Sequence, residues 1–148
     1  MNDKPDTPAE LKARALRYLV RREHSRAELA RKLAPHAESE AALNAVVDLL
    51  QSRKQLSDER FAEERARSLS RKYGPAKIRH DLKARGVSDE VIACLSSPEE
   101  ERRAREILAR KYREPAGSRE ERAKRARFLQ GRGFSADVIH RLVLRGED

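Results

Sequence analysis

From about residue 8 onward the apolar positions of the chain recur every three or four residues, the period of an α-helix with one buried face. Leu11, Ala15, Tyr18 and Leu19 follow one such face, and Lys12, Arg14, Arg17 and Arg21 fall on the others. The start is marked by Thr7-Pro8-Ala9-Glu10, in which Thr can cap, Pro suits the first helical position and Glu can reach back to the cap amide. A second capping box, Ser25-Arg26-Ala27-Glu28, precedes Leu29 and Leu33, and Pro35 ends that helix. A third helix from about Ser39 carries Leu43, Val46, Val47 and Leu50. No Lys or Arg lies between Leu33 and Leu50, so its exposed face is acidic to neutral. Ser57, followed by Asp58 and Glu59, opens a fourth helix that runs to about Lys72, with Leu56 placed to pack on Phe61. Gly74-Pro75 then restarts a helix whose inward residues are Ile78 and Leu82.

Two phrases are nearly the same: LKARGVSDEVI at 82–92 and LQGRGFSADVI at 129–139 share six of eleven positions at a spacing of forty-seven residues. In each, Gly86 or Gly133 suits the left-handed residue after a helix end, and Ser88 or Ser135 can cap the helix that follows. Each phrase therefore predicts a helix, a tight turn and a helix. The last third opens on Ser97-Pro98-Glu99-Glu100, another capping box, and continues with Ala104, Ile107, Leu108 and Tyr112 on one face. Pro115 and Gly117 make a loop, Ser118 to Glu121 caps the next helix, which carries Ala126 and Leu129, and Val138, Ile139 and Leu142 form the final apolar stripe. The expectation is all-α, with nine helices in three tandem three-helix repeats at 8–54, 55–97 and 98–146. Units of about three helices bury little alone, so such repeats pack in a row and predict an elongated, curved body.

Composition agrees with small cores. Only 38% of the 148 residues are hydrophobic and 4% aromatic, while 40% are charged. The formal charge of +9 favours polyanionic partners or acidic protein surfaces. The lone cysteine, Cys94, excludes an internal disulfide, and its apolar setting VIACL predicts a small buried residue. No stretch approaches the ~20 apolar residues of a membrane span, and the N-terminus lacks a secretory pattern. A soluble cytoplasmic protein is expected.

Nothing in the sequence converges on a catalytic site, so no enzyme and no cofactor are expected. His24, His36, His80 and His140 are scattered without ligand spacing and predict surface or capping roles. The carboxylates mostly stand at helical neighbour spacing from Arg or Lys, which reads as ion pairing. The candidates that remain are basic. One cluster at 17–33 holds Arg17, Arg21, Arg22, Arg26, Arg31 and Lys32; another at 122–133 holds Arg122, Lys124, Arg125, Arg127 and Arg132; Lys77 and Arg79 stand on the fifth helix. Arg at this density can neutralise phosphates. Tyr73 and Tyr112 each close an RKY triplet, and their spacing from Leu69 and Leu108 predicts rings that seal a core end, with base stacking as the alternative. Helix, turn, helix is also the pattern of major-groove readers, so a stand-alone DNA-binding protein is a rival reading.

The residues resemble a known family, the bacterial RecX recombination regulators. The likeness rests on ALRYLVRREHSRAELARKL at 15–33, SDERFAEERA at 57–66 with YGPAKIRHDLKARGV at 73–87, and RKYREP at 110–115 followed by RFLQGRGF at 127–134. Lys72 and Arg65 depart from the family's usual residues. The resemblance implies a cytoplasmic protein that binds the recombinase RecA on DNA and limits the filament's ATPase, strand-exchange and coprotease activities. It also implies action by occupancy, with contacts to DNA backbone possible and a monomer expected.

Overall fold

The computed structural model describes residues 4–95 and 99–144. Among these residues there are nine α-helices and no strand: α1 Pro8–Arg21, α2 Arg26–Leu33, α3 Glu40–Ser52, α4 Asp58–Leu69, α5 Pro75–Ala84, α6 Asp89–Ala93, α7 Glu100–Lys111, α8 Arg119–Gly131 and α9 Ala136–Ile139. A 3-10 turn, Ala34–His36, follows α2, and a π turn, His140–Leu144, follows α9.

Apart from α7, the caps fall where the sequence puts them. The Glu10 N–H donates to Thr7 Oγ1 (3.2 Å) while the Thr7 N–H donates to Glu10 Oε1 (3.0 Å), and Ser25 and Glu28 do the same at the start of α2. These bonds satisfy backbone donors that a helix start leaves without partners. At α8 the reciprocal arm slips by one residue: Ser118 Oγ accepts from the Glu121 N–H, but the Glu121 carboxylate accepts from Gly117 (2.6 Å).

The chain divides into two compact units, one formed by residues up to Glu64 with Leu82–Cys94, the other by Arg65–Asp81 with residues from Leu95 on. In the first unit the core comprises Leu11 and Ala15 of α1, Leu29 and Leu33 of α2, and Val46, Val47 and Leu50 of α3, with Leu56. In the second it comprises Ala104 and Ile107 of α7, Leu129 of α8, and Phe134, Val138, Ile139 and Val143.

The repeated phrase explains why the units cut across the second module. In the first unit the turn at Arg85-Gly86 seats on the start of α2: Ser25 Oγ donates to the Arg85 carbonyl (2.7 Å), and a Cβ on Gly86, at φ +87°, would stand 2.4 Å from Ala27 Cβ. In the second unit the turn at Arg132-Gly133 seats on the start of α5. There the Gly74 and Ala76 N–H groups donate to the carbonyls of Arg132 (2.7 Å) and Gly133 (3.1 Å). A Cβ on Gly133, at φ +93°, would lie 2.6 Å from the Lys77 backbone nitrogen. Each glycine meets two demands at once, a left-handed turn and a backbone approach that no side chain permits. Val87 and Phe134, the next residues of the two phrases, are both buried.

Some expectations need correction. Helix α4 ends at Leu69 rather than near Lys72, because the Lys72 and Tyr73 N–H groups both turn back to the Leu69 carbonyl (3.0 and 2.9 Å). Cys94 is exposed: α6 has only five residues, so the cysteine falls at its C-terminal cap, past the inward side. His24, expected at the surface, is 1% exposed. The capping serine expected at Ser97 lies outside the described residues; the residue before α7, Glu99, is left-handed at φ 68° and makes no side-chain cap bond. Arg65, the departure on α4, forks onto Asp81 of α5 through two hydrogen bonds of 2.9 and 3.0 Å.

Candidate functional site

The basic residues of the first unit fall into two kinds. Arg17 and Arg21 on α1 and Arg31 on α2 are exposed. Arg22 and Lys32 are exposed as well, but they and the half-buried Arg26 are tied into the fold. Arg22 donates to both oxygens of Glu28 (3.3 and 3.4 Å), and Arg85 donates to Oε2 of the same carboxylate (2.8 Å). Burial raises the pKa of Glu28, but the Arg22 hydrogen bond, the Ser25 N–H and Arg85 outweigh it and hold the carboxyl below its ordinary value. Arg26 is engaged by Asp48 (2.6 Å) and Gln51 (2.6 Å). Lys32 places Nζ 2.8 Å from His24 Nε2 and 4.9 Å from the centre of the Tyr18 ring.

That geometry fixes the histidine. Nδ1 lies 3.0 Å from the Arg22 carbonyl oxygen and so carries the proton, which leaves Nε2 as acceptor for the Lys32 ammonium. Burial, with Arg22 and Lys32 adding positive charge, keeps His24 below the ordinary imidazole pKa. The ring is a neutral strut under Lys32.

The basic residues of the second unit are held differently. Arg125 lies 4.5 Å from the centre of the Tyr112 ring, and Tyr112 meets Phe128 edge to face at 6.0 Å. Arg132 lies between two rings, 5.1 Å from Phe128 and 5.5 Å from Tyr73, and Lys77 stands 5.3 Å from Tyr73. Lys111, which the sequence reading passed over, stands 4.8 Å from Phe128. Arg79, Lys124 and Arg127 are exposed, and Arg122 is half-buried. Two of these contacts had a local signal, since Tyr73 with Lys77 and Phe128 with Arg132 stand four apart. The two tyrosines are half-buried, as a ring that seals a core end would be, but each also carries cations.

What the fold defines is a class: an all-helical protein of tandem three-helix domains with a strongly basic composition. Family models for the first, second and third three-helix domains of RecX match residues 12–50, 57–94 and 99–143. The chain is 42% identical to a Regulatory protein RecX of Ralstonia nicotianae over 142 residues, 94% of this chain and 89% of that one. It is 45% identical to the protein of the same name from Leptothrix cholodnii over 141 residues, 93% and 89% of the two chains. The crystal structure of RecX from Lactobacillus salivarius shares the fold at a TM-score of 0.79 and 22% identity, over 93% of this chain and 95% of that one. The chain belongs to the RecX family of regulatory proteins. Among the described residues no helix is long and apolar enough to cross a membrane.

Proposed function

We propose that the chain is a non-enzymatic regulator that binds the RecA recombinase filament on DNA and modulates, mainly inhibits, its ATPase, strand-exchange and coprotease activities. The observation that carries this reading is the ordered match of all three RecX domains to one short basic chain. The inventory of side chains supports action by occupancy: the one buried histidine is a neutral strut, and the buried carboxylate Glu28 is held by two arginines. The protein works as a cytoplasmic monomer in this reading, and its partner is the filament rather than a small molecule.

Helix-turn-helix joints favour the rival, a stand-alone DNA reader, only superficially. The helix that follows the first joint, α6, has five residues, too short to lay a recognition face along a major groove. The test is the ATPase of a recombinase assembled on single-stranded DNA, titrated with the purified chain. Turnover should fall as the chain is added; turnover unchanged over a wide ratio at low salt refutes the proposal. A discrete footprint on duplex DNA without recombinase would establish the rival.

A further inference from the structure

Several arginines of the chain are offset by acids. Arg14 pairs with Asp6 (2.7 Å), Arg26 with Asp48 (2.6 Å), Arg60 with Glu23 (2.9 Å) and Arg65 with Asp81 (2.9 Å). In the second unit Lys77, Lys111, Arg125 and Arg132 make no ion pair among the described residues and lie against aromatic rings instead. Aromatic rings take the place of the acids. A guanidinium forked onto a carboxylate has its charge offset and its donors engaged, whereas one lying over a ring keeps its full charge and leaves donors at its edge. Arg125 and Arg132 also donate to the carbonyls of Glu114 (2.7 Å) and Lys72 (3.4 Å), which orient the groups without neutralising them. Tyr73, Tyr112 and Phe128 are half-buried, so each ring is anchored in the fold while part of it stays accessible.

We propose that this row of rings and ring-held cations is a binding track for single-stranded nucleic acid, in which the cations move onto backbone phosphates and the ring faces they uncover receive unstacked bases. Interleaved cations and aromatics are what a single strand needs, since each base offers a flat face and each step a charge. A duplex keeps its base faces stacked and gains nothing from the rings; an acidic protein surface would be served by the cations alone. The track goes beyond filament docking and stands without it.

The test uses the full chain without recombinase, with fluorescence anisotropy of a 20-nucleotide oligothymidylate and of a 20-base-pair duplex across a salt series. Four phosphate contacts give a log–log salt slope of about −3 on the single strand, at roughly −0.7 per contact. Lys111→Gln with Arg132→Gln should reduce that slope by about 1.4 units, and Tyr73→Leu or Tyr112→Leu should weaken oligothymidylate by about tenfold while leaving the duplex unchanged. Lys77→Gln with Lys111→Gln, both at exposed positions, repeats the cation test where folding is not at risk. Arg60→Gln, which removes a carboxylate-paired arginine, should change nothing. Oligothymidylate binding that survives both cation variants overturns the track, as does an equal loss on duplex in the ring variants. Variants that bind oligothymidylate normally but no longer lower filament ATPase would assign the row to a protein partner, also overturning it. Because no recombinase is present in the anisotropy assay, either failure leaves the filament reading to be judged by its own titration.

Discussion

His24 shows how one side chain couples the charge of the surface to the interior. Its faces are met by Lys32, the Arg22 carbonyl, the Tyr18 ring at 6.1 Å and, at longer range, Glu28. The folded pKa is depressed, so above about pH 6.5 the imidazole is neutral in both folded and unfolded chains and its contribution is complete. As the pH falls further, the unfolded chain takes up a proton that the folded one resists, and stability declines. The carboxylates with depressed pKa values, Asp6 and Glu28, contribute in the opposite region, losing their stabilisation only below about pH 4.5. Urea midpoints at pH 7.5 and 5.5 therefore isolate the histidine. Wild-type protein should be less stable at pH 5.5, and His24→Gln should flatten that difference while costing ~1–3 kcal/mol at pH 7.5, because the buried ring that meets the Arg22 carbonyl, Lys32 and Tyr18 is lost. An equal pH response in both proteins would remove His24 from the account.

At the scale of elements, the two joints and the caps decide where the chain turns. Gly86→Ala and Gly133→Ala each force a Cβ into a position less than 3 Å from a neighbour at positive φ, so each should cost at least ~1–3 kcal/mol and lower the melting temperature. Gly131, the last residue of α8, meets nothing within 4 Å of an added Cβ, and Gly131→Ala should stabilise by ~0.5–1 kcal/mol. Opposite signs at neighbouring glycines would confirm that approach, not flexibility, sets their roles. Leu82 and Leu129 are both 0% exposed, and replacing either by Ala should remove ~2–5 kcal/mol in chemical denaturation. Helix starts were legible because a cap is a local bond between residues three apart, as at Thr7 with Glu10 and Ser25 with Glu28. Burial at the ends of elements was not. His24 looks like a loop residue until α1 and α2 close around it, and Cys94 looks apolar until α6 stops after five residues. The ring row was half legible: Tyr73 with Lys77 reads off the chain, but Tyr73 with Arg132 exists only because the Gly133 turn seats on α5.

For the molecule as a whole, the 34 Lys and Arg residues overstate how much positive surface is free to act, and the net charge of +9 says nothing of where it lies. Sequence clusters count Arg22, Arg26 and Lys32 alongside Arg17, Arg21 and Arg31, yet the first three serve Glu28, Asp48 and His24. Replacing Arg22 or Lys32 therefore perturbs the fold as well as the charge, and a loss of function in such a variant is ambiguous. Arg17, Arg21 and Arg31 form the cleaner probe, since all are exposed and surface substitutions of this kind usually shift stability by less than about 0.5 kcal/mol each. If the first unit meets an acidic face of the recombinase filament, the triple Arg17→Ala, Arg21→Ala, Arg31→Ala variant should melt like wild type and need about tenfold more protein for half-maximal ATPase inhibition, a change of about 1.4 kcal/mol. The deficit should shrink as salt is raised, because exposed charges are screened over about 10 Å at 0.1 M. Unaltered inhibition by a folded triple variant would exclude this face from the contact.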